Sequence, residues 1–220
     1  MTVPCDTIST IEGAAGSGIS VSLLSGVYTI SLTAASLDSL ALYKIYADTA
    51  ARDADNPSPS SGDMAWTTSD DRRWVHDGTG WIIEYEPWTA FTPSSTNITL
   101  GNGTLTGRYQ RRGGTCTFWS AFTLGSTSAM GTNPALGLPF ATAATLAQQF
   151  WIAMSDGGAQ HYVGMSPPQV AAATTVNPFA ANAAVAVANA TSISSTVPFT
   201  WATTDVLGIG GTYEMNSRYT

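Results

Sequence analysis

The stretch that most constrains this chain is residues 101–124, GNGTLTGRYQRRGGTCTFWSAFTL. It reads as two strands around a tight turn. On the first arm Leu105, Gly107 and Tyr109 alternate with Thr104, Thr106, Arg108 and Gln110. On the second, Cys116, Phe118, Ser120, Phe122 and Leu124 share one face, and Thr115, Thr117, Trp119, Ala121 and Thr123 take the other. A pleated strand with one buried face needs that alternation. Gly113-Gly114 sits between the arms. Glycine accepts the positive φ of a two-residue hairpin turn, so the pair marks the reversal.

The remaining C-terminal half reads as strands built around this hairpin. Candidates are 97–100, 138–140, 149–154, 160–165, 170–176, 183–187, 198–201 and 206–213, with 125–137 as a Ser/Thr/Gly/Asn-rich loop. Short strands at near-regular spacing, separated by turn residues, predict a β-sandwich or a barrel-like jelly roll. The Ala-rich stretches 141–147 and 170–190 fit helix or strand, since helix propensity favours alanine but Thr, Val, Asn and Pro interrupt them.

Upstream, residues 64–67, 73–76 and 81–84 form three short strand candidates, each with one tryptophan: Trp66, Trp74 and Trp81. Asp77-Gly78 is a strong turn pair, and the three tryptophans predict a small core of their own. Residues 56–62, NPSPSSG, break the chain before this unit. Residues 37–53 carry Leu37, Leu40 and Tyr43/Lys44 at helical spacing with Asp38 as a cap, which predicts a short helix. Ile19–Leu24 and Val27–Leu32 are two further strand candidates. Two short strands are marginal alone in water, so this segment is expected to pack against a copy of itself or a docking partner. The predicted fold class is therefore all-β. A C-terminal jelly-roll-like β-sandwich (89–220) follows a small Trp-rich β-meander (49–88) and an N-terminal attachment segment with a short helix (1–48).

Only 10% of the 220 residues are charged, against roughly 25% in an average soluble protein. So little charge suits a protein assembled with its own copies or into a larger particle. Residues 1–91 hold 12 acids and 4 bases, net −8, and residues 92–220 hold 3 acids and 4 bases, net +1. Nucleic-acid binding through phosphates needs clustered Lys and Arg. The only cluster, Arg108, Arg111 and Arg112, flanks the hairpin turn and reads as solvated. No apolar run approaches the ~20 residues of a membrane span. The start of the chain does not read as a secretory signal, so no disulfide between Cys5 and Cys116 is expected. Cys116, on the face of Phe118 and Phe122, reads as a small buried hydrophobe.

Catalytic arrangements do not rise above background, and the chain is read as a non-enzyme without cofactor. Glu84 and Glu86, two apart on a strand, form the only carboxylate pair of the kind that glycoside cleavage uses; at the end of a small meander they read as solvated charges. His76 and His161 have no Cys, His or carboxylate at zinc-site spacing, so no metal is expected.

Two stretches resemble bacteriophage tail-fibre and minor tail proteins, especially those of phages of actinobacteria. One is TAARDADNPSPSSGDMAWTTSDDRRWVHDGTGW, residues 49–81. The other is LGNGTLTGRYQRR, residues 100–112, closed much later by Phe199-Thr200-Trp201 and Gly211-Thr212-Tyr213-Glu214. The resemblance implies a homotrimeric virion surface protein, made in the host bacterial cytoplasm, with its C-terminal domain outward. It would contact the bacterial envelope, in particular glycan, as a tail-fibre or receptor-binding protein. A capsid decoration or head-fibre protein docked through residues 1–48 is the alternative. Loops commonly carry contacts on rigid scaffolds, so loops 125–137 and 155–161 are the expected contact regions, with Asn133, Asp156, Gln160 and Tyr162 as contact residues.

Overall fold

The computed structural model describes residues 19–24, 27–32, 43–143, 147–169, 172–182 and 189–218. It is all-β and sandwich-like, with a single short helix among the described residues. β1 (Ile19–Leu24) and β2 (Val27–Leu32) pair antiparallel, Ile19 opposite Leu32, as expected.

The tryptophan-rich unit is a four-stranded sheet. β3 (Lys44–Tyr46) runs parallel to β4 (Met64–Thr67), which continues antiparallel into β5 (Arg72–His76) and β6 (Trp81–Tyr85). The helix expected over 37–53 is corrected here. Leu37, Asp38 and Leu40 lie outside the described residues, and Lys44 begins a strand because its backbone pairs with β4. The helix α1 spans Thr49–Asp55 and is capped by Asp48, whose carboxylate accepts from the Ala51 amide at 2.8 Å.

Ala65, Trp74 and Ile83 form this unit's core, with Tyr46 and Trp81 packed on it. Trp66 is not part of it: it stands opposite Arg73 on the other face and donates to Asp71 at 3.1 Å. What fills the third place is Arg52 of α1, 4% exposed. Its guanidinium lies 4.7 Å from the Trp74 ring centre and 4.5 Å from that of Trp81. The 56–62 loop is tied down by Asp63, which accepts from the Ser60 amide and the Asn56 side chain, both at 2.9 Å. Those hydrogen bonds hold its carboxyl below the usual carboxylate range. This contribution is present above the unfolded-state pKa and is lost as pH falls through the lowered one.

The C-terminal part holds two layers. β7 (Thr89–Phe91), β9 (Thr104–Arg112), β10 (Thr115–Thr123), β12 (Trp151–Asp156), β13 (Gln160–Met165), β15 (Phe179–Asn182), β16 (Asn189–Ser192) and β17 (Val206–Glu214) make an eight-stranded sheet. Its order is β16-β15-β13-β12-β17-β10-β9-β7. β8 (Ser95–Thr99), β11 (Ala129–Gly137) and β14 (Thr175–Val176) make a three-stranded sheet. The central hairpin is as read: Arg112 faces Thr115 across Gly113-Gly114, and Gly113 takes φ 58°. Cys116, Phe118, Ser120 and Phe122 point inward and are buried.

The two layers close over one core. Phe118 and Phe122 of β10, Ile152 and Met154 of β12 and Leu207 and Ile209 of β17 meet Met130 and Leu136 of β11 and Val176 of β14. Phe118, Phe150 and Tyr213 pack edge to face, their ring centres 5.3–5.7 Å apart. The Tyr213 hydroxyl donates to the Phe140 carbonyl at 2.8 Å and accepts from the Phe140 amide at 3.1 Å, so its buried oxygen is satisfied.

Cys116 is fully buried among these groups, and burial pushes its thiol up to about 12 from 9.0. The neutral thiol is the form the fold favours. That contribution is present below the unfolded-state value and is lost as pH rises from about 9 toward 12. In a Cys5→Ser variant at pH 8, Cys116 should resist iodoacetamide in the native state and react once guanidinium unfolds the chain. Alkylation at equal rates in both states would contradict this burial.

Other departures have local causes. Residues 125–137 are not one loop, because Ala129–Gly137 is β11. Its pairing with β8 shifts register between Met130 and Ala135, so a bulge breaks the period-two signal there. Residues 89–91 form β7 on the edge of the large sheet. Segments 138–140 and 198–201 are not strands. The expected strand 183–187 lies outside the described residues, as do 144–146, 170–171 and 188 of the Ala-rich stretches.

Candidate functional site

The outward face of the eight-stranded sheet is set by the same alternation that buries Phe118. Register places Ala90, Arg108, Trp119, Gly210, Trp151 and Met165 in one row across β7, β9, β10, β17, β12 and β13. The next row along holds Thr106, Ala121, Gly208, Ala153 and Val163. Trp119 is 44% exposed, Trp151 38%, Met165 54% and Val163 71%. The two indoles meet edge to face at 4.5 Å. Gly210 makes this possible, since a Cβ there would stand 2.8 Å from Cζ2 of Trp151. Thr106, Arg108, Trp119, Ala121, Trp151 and Gly208 line a cleft of about 330 Å³ on this face.

Contiguous exposed aromatic and apolar surface of this kind marks interaction sites on soluble folds. Trp88, 44% exposed, extends it past the sheet edge, with the Arg108 guanidinium 4.9 Å from its ring centre. Among the described residues, no carboxylate lies within ion-pair distance of Arg108. The Trp119 row, the Ala121 row and the Gln110–Thr117–Thr212 row carry no acidic residue.

The residues expected to make contacts lie elsewhere, in two places. Asp156, Gln160 and Tyr162 share the β12–β13 hairpin, where Asp156 pairs with Gln160 across the turn. The Tyr162 hydroxyl donates to Gln160 Oε1 at 2.5 Å, and its ring packs 5.1 Å from Phe199, against the core. Asn133 is not a loop residue. It sits in the bulged part of β11 with φ 52°, its side chain accepts from the Ser192 hydroxyl, and its carbonyl accepts from Asn97 at 3.3 Å. The structure thus groups three of the four and leaves Asn133 in the other layer.

Two charge assignments are corrected. Glu86 is fully buried, not solvated. It receives the Arg111 backbone amide at 3.1 Å, Arg111 Nε at 2.9 Å and Arg111 Nη2 at 3.1 Å. Arg72 Nε adds a further bond at 2.9 Å, and Gln110 Nε2 donates to the Glu86 carbonyl at 2.6 Å. Arg111, 5% exposed, is therefore no solvated turn residue either, and its guanidinium also lies 4.7 Å from the Phe140 ring centre. Glu84 is engaged separately, by the Tyr43 hydroxyl, an interaction that raises the Tyr43 pKa. A carboxylate with both oxygens held by guanidinium groups is a structural tie between the small sheet and the hairpin, not an acid–base group. Among the described residues, no three of His, Cys, Asp and Glu gather to hold a metal ion.

Reading alternation to its end would have found the exposed row. Trp119 falls on the threonine-bearing face of β10, and Trp151 sits one residue before the inward Ile152. A large aromatic on the solvent parity of a strand is the signal. Comparison with known proteins returned no match to any family model, curated protein or solved structure.

Proposed function

We propose that this chain is a non-enzymatic surface protein of a bacteriophage virion, of the tail-fibre or receptor-binding kind, and that it grips bacterial envelope glycan through the Trp119–Trp151 cleft. The observation that carries the reading is the exposed pair of indoles on a rigid sheet. A sugar ring presents a face of C–H groups that packs on an aromatic plane, while its hydroxyls remain free for neighbouring polar groups. Tryptophan offers the largest such plane at little cost in conformational freedom. Thr106 and the Arg108 side chain border the same cleft. In this reading copies of the chain associate as a homotrimer, and residues 1–48 attach it to other virion proteins.

The test is binding of the fluorescently labelled full chain to a panel of actinobacterial cells. Wild-type protein should label at least one strain. The Trp119→Ala/Trp151→Ala double variant should lose that labelling by about 10-fold or more, since each hot-spot aromatic carries upward of about 2 kcal/mol. Both side chains are substantially exposed, so the variant should keep its circular dichroism spectrum. Undiminished labelling by the double variant contradicts the assignment. Immunogold labelling of intact particles checks the location: gold on tails is the expected result, and gold on heads favours a capsid decoration role.

A further inference from the structure

We propose that the Trp119–Trp151 cleft takes a sugar ring bearing a negative charge, with Arg108 as the group that receives the anion. The proposal rests on the glycan reading above and adds the charge of the ligand to it. Arg108 is the direct cross-strand neighbour of Trp119, and such neighbours hold their Cβ atoms about 4.5–5.5 Å apart. A ring stacked on Trp119 therefore has its substituents within reach of the guanidinium. That guanidinium already has one face on Trp88. Stacking engages the plane of the group and leaves its N–H edges pointing outward, and those edges match a carboxylate or phosphate in fork geometry.

Charge complementarity points the same way. Of the three arginines on this hairpin arm, Arg111 is spent on Glu86, Arg112 stands at the tip, and Arg108 forms no ion pair among the described residues. The three rows through and beside Arg108 hold threonine, glutamine, alanine, glycine, tryptophan, valine and methionine but no carboxylate. A lone cation beside the paired indoles, on a protein of net charge −7, selects an anion at that one place. A neutral sugar would leave it unused. Carboxylate on a uronic acid and phosphate on a polyol-phosphate polymer supply the same chemistry.

The experiment is a glycan array probed with the full chain, carrying uronic-acid polysaccharides, glycosylated polyol-phosphate polymers, and neutral galactans and mannans as separate sets. Binding should be confined to the acidic sets, and whichever set responds identifies the anion. Arg108→Gln should lower that binding about 10- to 100-fold, the range of a lost charge-assisted hydrogen bond, with an unchanged thermal midpoint. Wild-type binding should also weaken as salt rises. Binding to neutral glycans that Arg108→Gln leaves untouched overturns the charge assignment while the glycan reading stands. Cell labelling without binding to any glycan set overturns both. So does a fall in sedimenting mass in the Trp119→Ala/Trp151→Ala variant, because a second copy of the chain would then be what covers the face.

Discussion

Replacing Glu86 by glutamine should lower the stability of this protein by about 3–5 kcal/mol, the cost of removing one partner from a buried ion pair. The substitution keeps the shape of the side chain but leaves the Arg111 guanidinium, 5% exposed, without its counter-charge. Arg72 suffers less: its side chain is 22% exposed and it retains Asp70 at 2.9 Å. The loss is therefore concentrated at Arg111, whose burial limits how far solvent can take the carboxylate's place. Glu86 follows β6 of the small sheet, and Arg111 belongs to β9 of the large one. Gly113 at the hairpin tip also donates to the Ile83 carbonyl at 2.7 Å. With the ion pair gone, this seam is what gives. Urea unfolding of wild type should be one transition, and Glu86→Gln should shift it to lower urea and tend to split it, the small sheet melting first. The double variant Glu86→Gln/Arg111→Met should recover part of the loss, since it removes the stranded charge. An unshifted midpoint in the single variant would show that the pair carries no weight.

Arg52 should be the next most costly position. Its guanidinium lies between the rings of Trp74 and Trp81, and Asp53 accepts from its Nε and Nη2, both at 2.8 Å. A desolvated cation–π contact is worth about 2 kcal/mol, and two such contacts, offset in part by relieving a buried Nη1 that has no partner, give an expected loss of about 2–4 kcal/mol for Arg52→Ala. Lysine should rescue little of it, because a compact ammonium cannot lie flat between two indoles. Thermal unfolding followed by near-ultraviolet circular dichroism reads both the stability and the indole environment. A lysine variant as stable as wild type would contradict the sandwich.

The parts of this fold that were legible in the sequence are those where period two runs unbroken. Residues 104–123 gave up their strands, turn and most of their inward face together, because Leu105, Tyr109, Cys116, Phe118 and Phe122 fall on one parity and the threonines that alternate with them fall on the other around Gly113-Gly114. β11 was not legible: its apolar residues Met130, Ala135 and Leu136 are separated by the bulge that carries Asn133. β3 escaped because its strand character comes from pairing with β4, which lies beyond α1 in the chain. Glu86 and Arg111 escaped for a deeper reason. They are 25 residues apart, and a charge without a visible partner defaults to solvent; only the fold brings the two together. The exposed aromatic face was half legible. The parity of Trp119 was plain, but its meaning depends on Trp151 and Arg108 arriving in the same row through β17 and β9.

The central claim is that the outer face of the eight-stranded sheet, and not the hairpin ends, meets the ligand. Oxidative footprinting of the protein free and bound to the cells it labels, read residue by residue by mass spectrometry, tests it most directly. Protection of Trp88, Trp119 and Trp151 on binding, with Trp66 and Tyr162 unchanged, is the predicted result. Unaltered reactivity at Trp119 and Trp151, with protection at Tyr162 instead, would contradict it.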